Sequence, residues 1–541
     1  MKSNLHTTRI AVFTTITAVI IGSFLYYRYV VPYHIGMKEQ IQLFVFESTY
    51  IESYFSKPAS LSCLIGDFLT QFLYFKTAGA LVITFLLGVQ WWLIYLILKR
   101  FSIKRYALLW SLIPVIIEGI LIPHPSFSVA LPVSFIIALS AFILYSYIGR
   151  KIALIIGIIL VPILYRFAGV SVFLFVILVV LFEIKGKKDR VKDEGYRVKG
   201  IYVLTLYLLT FILFSLALPY LFRHHYLLTS KQAYFYPYPD MNEKLSLTGI
   251  MDKTQENLFG MTIESYHNNW GKVMEIAEKS QMKNSIAAYY TNLALSHTGI
   301  LGERLMDFYQ PFSSGLLFPN LPGTGWFPVF VSNDAYFHIG DIERAQHAAM
   351  LGMTFSPRQR SARLAERLVE INLVMGDTAA ATKYIRILES TMFHKIKPER
   401  LKNLPQRIKF NKDFICNAAD VKTSLELLTE SDPNNFPAVN YLLCFYLLHK
   451  DIPAFFKAYT SYYKGKFTPI PKVYSEALLI YLAVTKSSVK ELASYDIDSE
   501  IIKKFGEYTR LYEKSNGILT PMQKNFPNTY WLYYHFAVMN K

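Results

Sequence analysis

The sequence predicts an all-α protein in which a polytopic transmembrane helical bundle of about seven spans is followed by an extracytoplasmic α-solenoid. Composition is the first indication: 53% of the 541 residues are hydrophobic and 18% are charged, which is too apolar for one water-soluble globule. The second is that long apolar runs cluster before residue 222, while helical periodicity with polar faces recurs after residue 254. We therefore expect a membrane domain at 1–222, a tether at 223–253 and a helical-repeat domain at 254–541.

Seven apolar runs have or approach the length of a membrane span. They cover Ile10–Val31, Thr77–Leu98, Tyr106–Ile122, Phe127–Ile148, Ile152–Tyr165, Ala168–Ile184 and Ile201–Phe222. The first run ends in aromatic residues and Arg28 without a small-residue cleavage site. This pattern is typical of a retained signal anchor, so we expect the first run to stay in the membrane.

The distribution of basic residues indicates how the spans are oriented. A hairpin that turns near Arg166 places the basic loop 185–199 on the same side as the N-terminus, Lys99 and Arg100, as the positive-inside rule requires. We therefore expect a bacterial inner (cytoplasmic) membrane protein with a cytoplasmic N-terminus and a periplasmic or extracytoplasmic repeat domain. The same distribution accounts for the net charge of +17 through membrane topology, so no nucleic-acid partner is expected.

The loop at 32–76, between the first two spans, is predicted to lie on the outer side as two surface helices, Met37–Phe55 and Ala59–Phe75. Ionisable residues gather on this side of the membrane. They are Glu39, Asp67, Glu118, His124 and Arg166. Because charge in a membrane is costly, each is a candidate functional residue. Either they converge on a site that binds a phosphate, or they reach separately for water and headgroups.

Internal repeats are the most specific motif of the second half. Tyr336, Gly340, Ala345 and Pro357 keep the spacing of a tetratricopeptide repeat, and Gly376-Asp377 repeats the Gly-Asp pair one unit later. Stacks of such helical hairpins bind peptides or proteins on a concave face, so an envelope protein or peptide is an expected partner.

Several common catalytic and redox patterns are absent from the sequence. It has no His-Glu-x-x-His, Cys-x-x-Cys, Gly-x-Ser-x-Gly or dinucleotide fingerprint. The three cysteines are Cys63, Cys416 and Cys444, and a bridge between the last two stays open.

Three short segments resemble an uncharacterised family of bacterial polytopic envelope proteins with a C-terminal tetratricopeptide-like domain. They are Glu39–Phe44, Gly66–Phe72 and Tyr290–Leu295. The resemblance spans most of the chain and implies no known activity.

The layout also resembles that of type-C membrane glycosyltransferases, whose first outer loop carries an acidic catalytic residue. This resemblance implies that Glu39 or Asp67 acts as general base or as ligand of a divalent cation. It also implies that His124 and Arg166 hold the phosphate of a polyprenyl-phosphate-linked sugar donor. Glu118, which is ionisable within a predicted span, belongs to the same candidate polar cluster. We therefore carry two hypotheses, a lipid-linked-sugar glycosyltransferase at the outer face and a non-catalytic membrane-anchored scaffold for envelope protein assembly.

Overall fold

A computed structural model describes residues 2–103, 106–193, 198–238, 252–318, 325–356, 358–396, 420–466, 468–486 and 492–538. Every regular element in these ranges is helical. The chain divides into two compact units. The first unit comprises residues 1–256 together with the short segment 387–395, and the second comprises residues 257–386 and 396–541.

The first unit holds twelve complete α-helices and the start of a thirteenth within the described ranges. They are α1 (Lys2–Leu25), α2 (Pro32–Gln40), α3 (Ser48–Tyr54), α4 (Ser60–Thr70), α5 (Lys76–Arg100), α6 (Ala107–Trp110), α7 (Leu112–Leu121), α8 (Ala130–Tyr147), α9 (Arg150–Ala168), α10 (Val172–Asp193), α11 (Val198–Phe222), α12 (Ser230–Phe235) and α13 (Lys253–Tyr266).

Among the described residues of the first unit, four stretches are long and apolar enough to cross a membrane. They are Lys76–Arg100, Ala130–Tyr147, Ile152–Lys185 and Thr205–Phe222. The bent pair Thr14–Val30 and Pro32–Gln40 makes a fifth if it is counted as one span. An all-helical protein with several apolar helices is thus confirmed, whereas the count of seven spans stays a prediction.

The stretch 152–185 turns back on itself at Gly169. This residue has a φ of +59°, and a side chain there would collide with a backbone carbonyl, so glycine is required. Tyr145 of α8 contacts both ends of the stretch, because its ring lies beside Gly157 of α9 and its hydroxyl donates to Glu183 of α10 at 3.2 Å. The start of α9 and the end of α10 therefore lie at the same end of α8, which is the geometry of a hairpin.

The predicted surface helix Met37–Phe55 is interrupted. Helix α2 ends at Gln40, and residues 42–47 have no helical structure before α3 begins at Ser48. The backbone N–H of Phe46 donates to the carbonyl of Ser390 at 2.8 Å, within the short segment 387–395. A backbone partner distant in sequence replaces the local helical hydrogen bond here, which periodicity alone does not indicate.

The second unit is built from helices of 4 to 16 residues. They are α14 (Trp270–Ser280), α15 (Ser285–His297), α16 (Leu301–Arg304), α17 (Trp326–Ile339), α18 (Ile342–Phe355), α19 (Ala362–Met375), α20 (Thr378–Glu389), α21 (Val421–Ser431), α22 (Phe436–Leu448), α23 (Ile452–Ala458), α24 (Lys472–Val484), α25 (Ser499–Lys514), α26 (Leu519–Asn525) and α27 (Tyr530–Phe536). Helix α20 runs from this unit into the segment 387–395.

Three helical hairpins of the second unit share one turn. The two residues of the turn are Gly340-Asp341, Gly376-Asp377 and Lys450-Asp451. In each, the first residue is left-handed, and the aspartate N–H donates at 2.9 Å to a carbonyl five residues earlier. The aspartate side chain then accepts from the first turn of the next helix at 2.9–3.2 Å. The repeated Gly-Asp pair of the sequence therefore forms the turn between two helices and caps the second one. The solenoid stays a prediction.

Some predicted features lie outside the described residues. Pro357 of the repeat motif and Cys416 of the open cysteine pair are among them, as is most of the second half of the tether.

Candidate functional site

The short helix α2 is the centre of a buried polar cluster in the first unit. A π-helical segment, Tyr26–Val30, ends the first helix, and Pro32 begins α2 after a bend of 70°. Proline fits a first helical position because its missing N–H would have no intrahelical partner there. Most of α2 is buried although half of its residues are polar. Its buried polar residues are His34, Lys38, Glu39 and Gln40.

The carboxylate of Glu39 is paired with an imidazole that comes 355 residues later in the sequence. Glu39 is 4% exposed and His394 is 6% exposed, and Nε2 of His394 lies in close contact with Oε1 of Glu39. The side-chain amide of Gln40 donates to the other oxygen, Oε2, at 3.1 Å. The hydroxyl of Thr391 accepts from the backbone N–H of His394 at 3.1 Å. Both oxygens of Glu39 are thus occupied by contacts within the protein.

A second carboxylate caps the start of α2. Oε1 and Oε2 of Glu256 accept from the backbone N–H groups of Tyr33 and His34 at 2.8 and 2.9 Å. Oε2 also contacts Nδ1 of His34 at 2.5 Å. The first N–H groups of a helix have no intrahelical partner and carry partial positive charge, so a carboxylate is well placed here. Glu256 fixes α2 from beyond the predicted tether.

Lys38 holds the turn between α7 and α8. Its ammonium group donates to the carbonyls of His124 and Phe127 at 2.5 and 2.6 Å, and the residue is 4% exposed. Nδ1 of His124 accepts from the backbone N–H of Ser126 at 3.3 Å. A buried ammonium is tolerated only where oxygen atoms replace its hydration shell, and these carbonyls do so.

Asp67 of α4 is tied to α3 by a hydroxyl. The hydroxyl of Tyr54 donates to Oδ2 of Asp67 at 2.8 Å, and the side-chain amide of Gln42 donates to the backbone carbonyl of Asp67 at 3.0 Å. Burial and the nearby Asp67 carboxylate raise the pKa of Tyr54, so its hydroxyl keeps its proton and remains the donor.

Arg166 fastens the connection between α3 and α4 to the end of α9. Its guanidinium donates to the carbonyl of Lys57 at 2.8 Å and also to the carbonyl of Phe55. The hydroxyl of Ser60 donates to the backbone carbonyl of Arg166 at 2.9 Å. The guanidinium therefore binds two backbone carbonyls that directly follow α3, which is a structural role for its donors.

Glu118 of α7 is the exception among the five candidates, all of which lie in described parts of the chain. It is 5% exposed, and neither carboxylate oxygen has a hydrogen-bond partner among the described residues. Gln90 of α5 lies close enough to interact with it, and the hydroxyl of Tyr27 donates to the neighbouring carbonyl of Gly119 at 2.8 Å. Since a buried charge is costly when unpaired, Glu118 is the least satisfied of the candidates.

The structure brings some of the candidates near one helix and leaves others apart. Glu39 belongs to α2. Lys38 of the same helix donates to the backbone carbonyl of His124, and Gln42, just after the helix, donates to the backbone carbonyl of Asp67. No hydrogen bond or ion pair in the described structure joins Glu39, Asp67, Glu118 and Arg166 to one another. No group of three or more metal-binding side chains occurs within the described ranges.

Sequence reasoning missed four residues of this cluster. They are His34, Lys38, Glu256 and His394. Two of them could have been noticed as polar residues on the same short helix as Glu39. The other two, Glu256 and His394, come from the predicted tether boundary and repeat domain, and no local pattern marks their destination.

These features define an all-helical protein with several apolar helices and a buried polar cluster around one short helix. The chain belongs to DUF6057, a family of unknown function, whose model matches residues 6–537. Neither a curated protein nor a solved structure matches the chain.

Proposed function

We propose that this protein is a non-catalytic scaffold of the bacterial envelope, anchored in the inner membrane and carrying its helical repeats on the outer side. The observation that carries the proposal is the use of Glu39, Asp67 and Arg166 in structural contacts. A glycosyltransferase of the expected layout needs an acidic residue free to meet an acceptor hydroxyl and cations free to meet a phosphate. Here those groups already hold the loop together.

The helical hairpins of the second unit support the same function. Helical hairpins joined by turns of the same geometry are typical of repeat proteins. The surfaces of such proteins bind other proteins and need no catalytic group. In this proposal the membrane helices hold the repeats at the membrane surface, and an envelope protein is the partner.

The glycosyltransferase remains the second candidate because of one contact. A buried carboxylate that contacts an imidazole, as Glu39 contacts His394, is an arrangement that fixes the orientation of a histidine base. In that case the donor would be a polyprenyl-phosphate-linked sugar, with or without a divalent cation, and His394 would join Glu39 in the reaction.

Complementation with conservative variants separates the two. A deletion strain would receive Glu39→Gln or Asp67→Asn in the full-length chain, and the amount of membrane-inserted protein would be measured beside the phenotype. The scaffold predicts that a variant present at wild-type abundance complements fully, and that any loss of complementation follows a loss of membrane-inserted protein. If either variant reaches wild-type abundance and still fails to complement, the scaffold proposal is wrong and the enzyme becomes the better candidate.

Partner capture gives a second measurement. Chemical cross-linking in intact cells, followed by purification of the full-length protein, should recover the same envelope proteins from wild type and from Asp67→Asn. Loss of a reproducible partner in Asp67→Asn at equal abundance would contradict a purely structural role for this carboxylate.

A further inference from the structure

The second unit contains a cleft of about 590 Å³. Its walls come from the connection between α14 and α15, the segment after α16, and the C-terminal helices α26 and α27. The volume falls within the roughly 300–1,000 Å³ of pockets that bind small ligands. The residues that bound it include both polar side chains and aromatic rings, which is unusual for a gap between packed helices.

Several polar groups of the cleft have no partner within the part of the chain that the structure describes. The hydroxyl of Ser280 is buried there without any hydrogen bond. Gln281 and Gln523 are exposed in the cleft lining, and their side chains make no hydrogen bond in the described structure. Buried polar groups normally find a partner, so the Ser280 hydroxyl is an unsatisfied group in the wall of the cleft, while the two glutamine amides are open to it.

Aromatic side chains form the apolar part of the same cleft. Tyr309 is 44% exposed, and Phe308, Tyr533 and Phe536 line the cleft with it. The hydroxyl of Tyr533 donates to the carbonyl of Leu448 at 2.8 Å, which fixes the orientation of its ring. Rings held in this way offer flat apolar faces at low entropic cost.

The cleft carries almost no net charge. Two of its described lining residues are charged, Lys283 and Asp307, and the guanidinium of Arg304 already pairs with Asp307 at 3.0 Å. One exposed lysine is the single unpaired cation of that described lining, so a ligand with several negative charges would stay largely uncompensated here. The cleft therefore disfavours a polyanion, and its neutral polar and aromatic lining suits a neutral ligand.

We infer that this cleft binds a neutral oligosaccharide. A sugar hydroxyl both donates and accepts, which matches the exposed amide groups of Gln281 and Gln523. The apolar C–H faces of a sugar ring match the exposed face of Tyr309.

Binding can be measured on the full-length protein in a detergent without a sugar headgroup. The probes are cellotriose, maltotriose and chitotriose, with a mixture of uncharged decapeptides as the competing class, followed by saturation-transfer NMR. At least one trisaccharide should bind saturably. Tyr309→Ala and Gln523→Ala should each weaken it by about tenfold or more.

The matched control is Lys524→Ala, which changes an exposed neighbour of Gln523 outside the cleft lining. It should leave the dissociation constant within about twofold of wild type. The inference is overturned if no trisaccharide binds saturably, if only peptides bind, or if Tyr309→Ala and Gln523→Ala bind as well as wild type. None of these outcomes affects the scaffold proposal, which is tested by complementation and by protein partners.

Discussion

Removing the imidazole of His394 should destabilise the first unit strongly. In His394→Ala the Oε1 atom of Glu39 loses its contact, and only the Gln40 amide, at 3.1 Å from Oε2, remains. Since Glu39 is 4% exposed, water cannot easily replace the lost partner. Leaving a buried carboxylate without its partner costs about 3–5 kcal/mol. The edge contact between the rings of Tyr74 and His394, with centroids 5.3 Å apart, is lost as well.

This loss should appear as a lower apparent melting temperature of the purified protein. At about 2–4 °C per kcal/mol for a unit of this size, the decrease is roughly 10 °C at one fixed scan rate. Lys395→Ala is the matched control, because it removes an exposed side chain from the same segment. It should change the melting temperature by no more than about 1 °C.

The double variant tests the cause of the loss. Glu39→Gln removes the charge that His394→Ala leaves buried, so combining the two should recover part of the lost stability, by about 1–3 kcal/mol. If His394→Ala melts within the error of Lys395→Ala, or if the double variant is less stable than the sum of the single changes, the argument from a stranded carboxylate is refuted.

Two further predictions concern the second unit. Burial raises the pKa of Glu476 from 4.5 to about 7, so the folded state keeps a proton that the unfolded state releases, and the free energy of unfolding should fall by about 3 kcal/mol as pH rises from about 4.5 to 7. Denaturant titrations at several pH values should show this slope reduced in Glu476→Gln, and an unchanged slope would contradict it. Gly376 has a φ of +79°, and a β-carbon added there would meet only open space, so Gly376→Ala should cost about 1–2 kcal/mol from the backbone alone. Gly271→Ala, in helix α14 with equal space, should instead stabilise by about 1 kcal/mol, and equal effects of the two changes would exclude the left-handed turn.

Hydrophobic patterning predicted the long apolar helices well. The predicted run Thr77–Leu98 lies within helix Lys76–Arg100, and Ile201–Phe222 lies within Val198–Phe222. These segments are apolar along their whole length, so the pattern alone determines them. The run at 106–122 divides at Ser111 into α6 and α7. Short helices of this kind depend on their neighbours, which a local pattern does not contain.

The buried cluster around α2 could be predicted only in part. Glu39 was a candidate because it is one of the ionisable residues predicted on the outer side of the membrane, but its partner His394 lies 355 residues away in the chain. The same holds for His34 and Glu256, which are separated by 222 residues. Contacts of this kind depend on the tertiary fold, so no local sequence pattern predicts which distant residues will meet.

The segment 387–395 has a consequence for how the protein is made. The first unit receives the imidazole of His394 long after the ribosome has passed Phe222, the last residue of its long apolar helices. At about 5–20 residues per second this interval is roughly 10–30 s. Until then the carboxylate of Glu39 lies in the partly folded first unit without its partner. The first unit can therefore reach its final structure only after residues 387–395 have been translated.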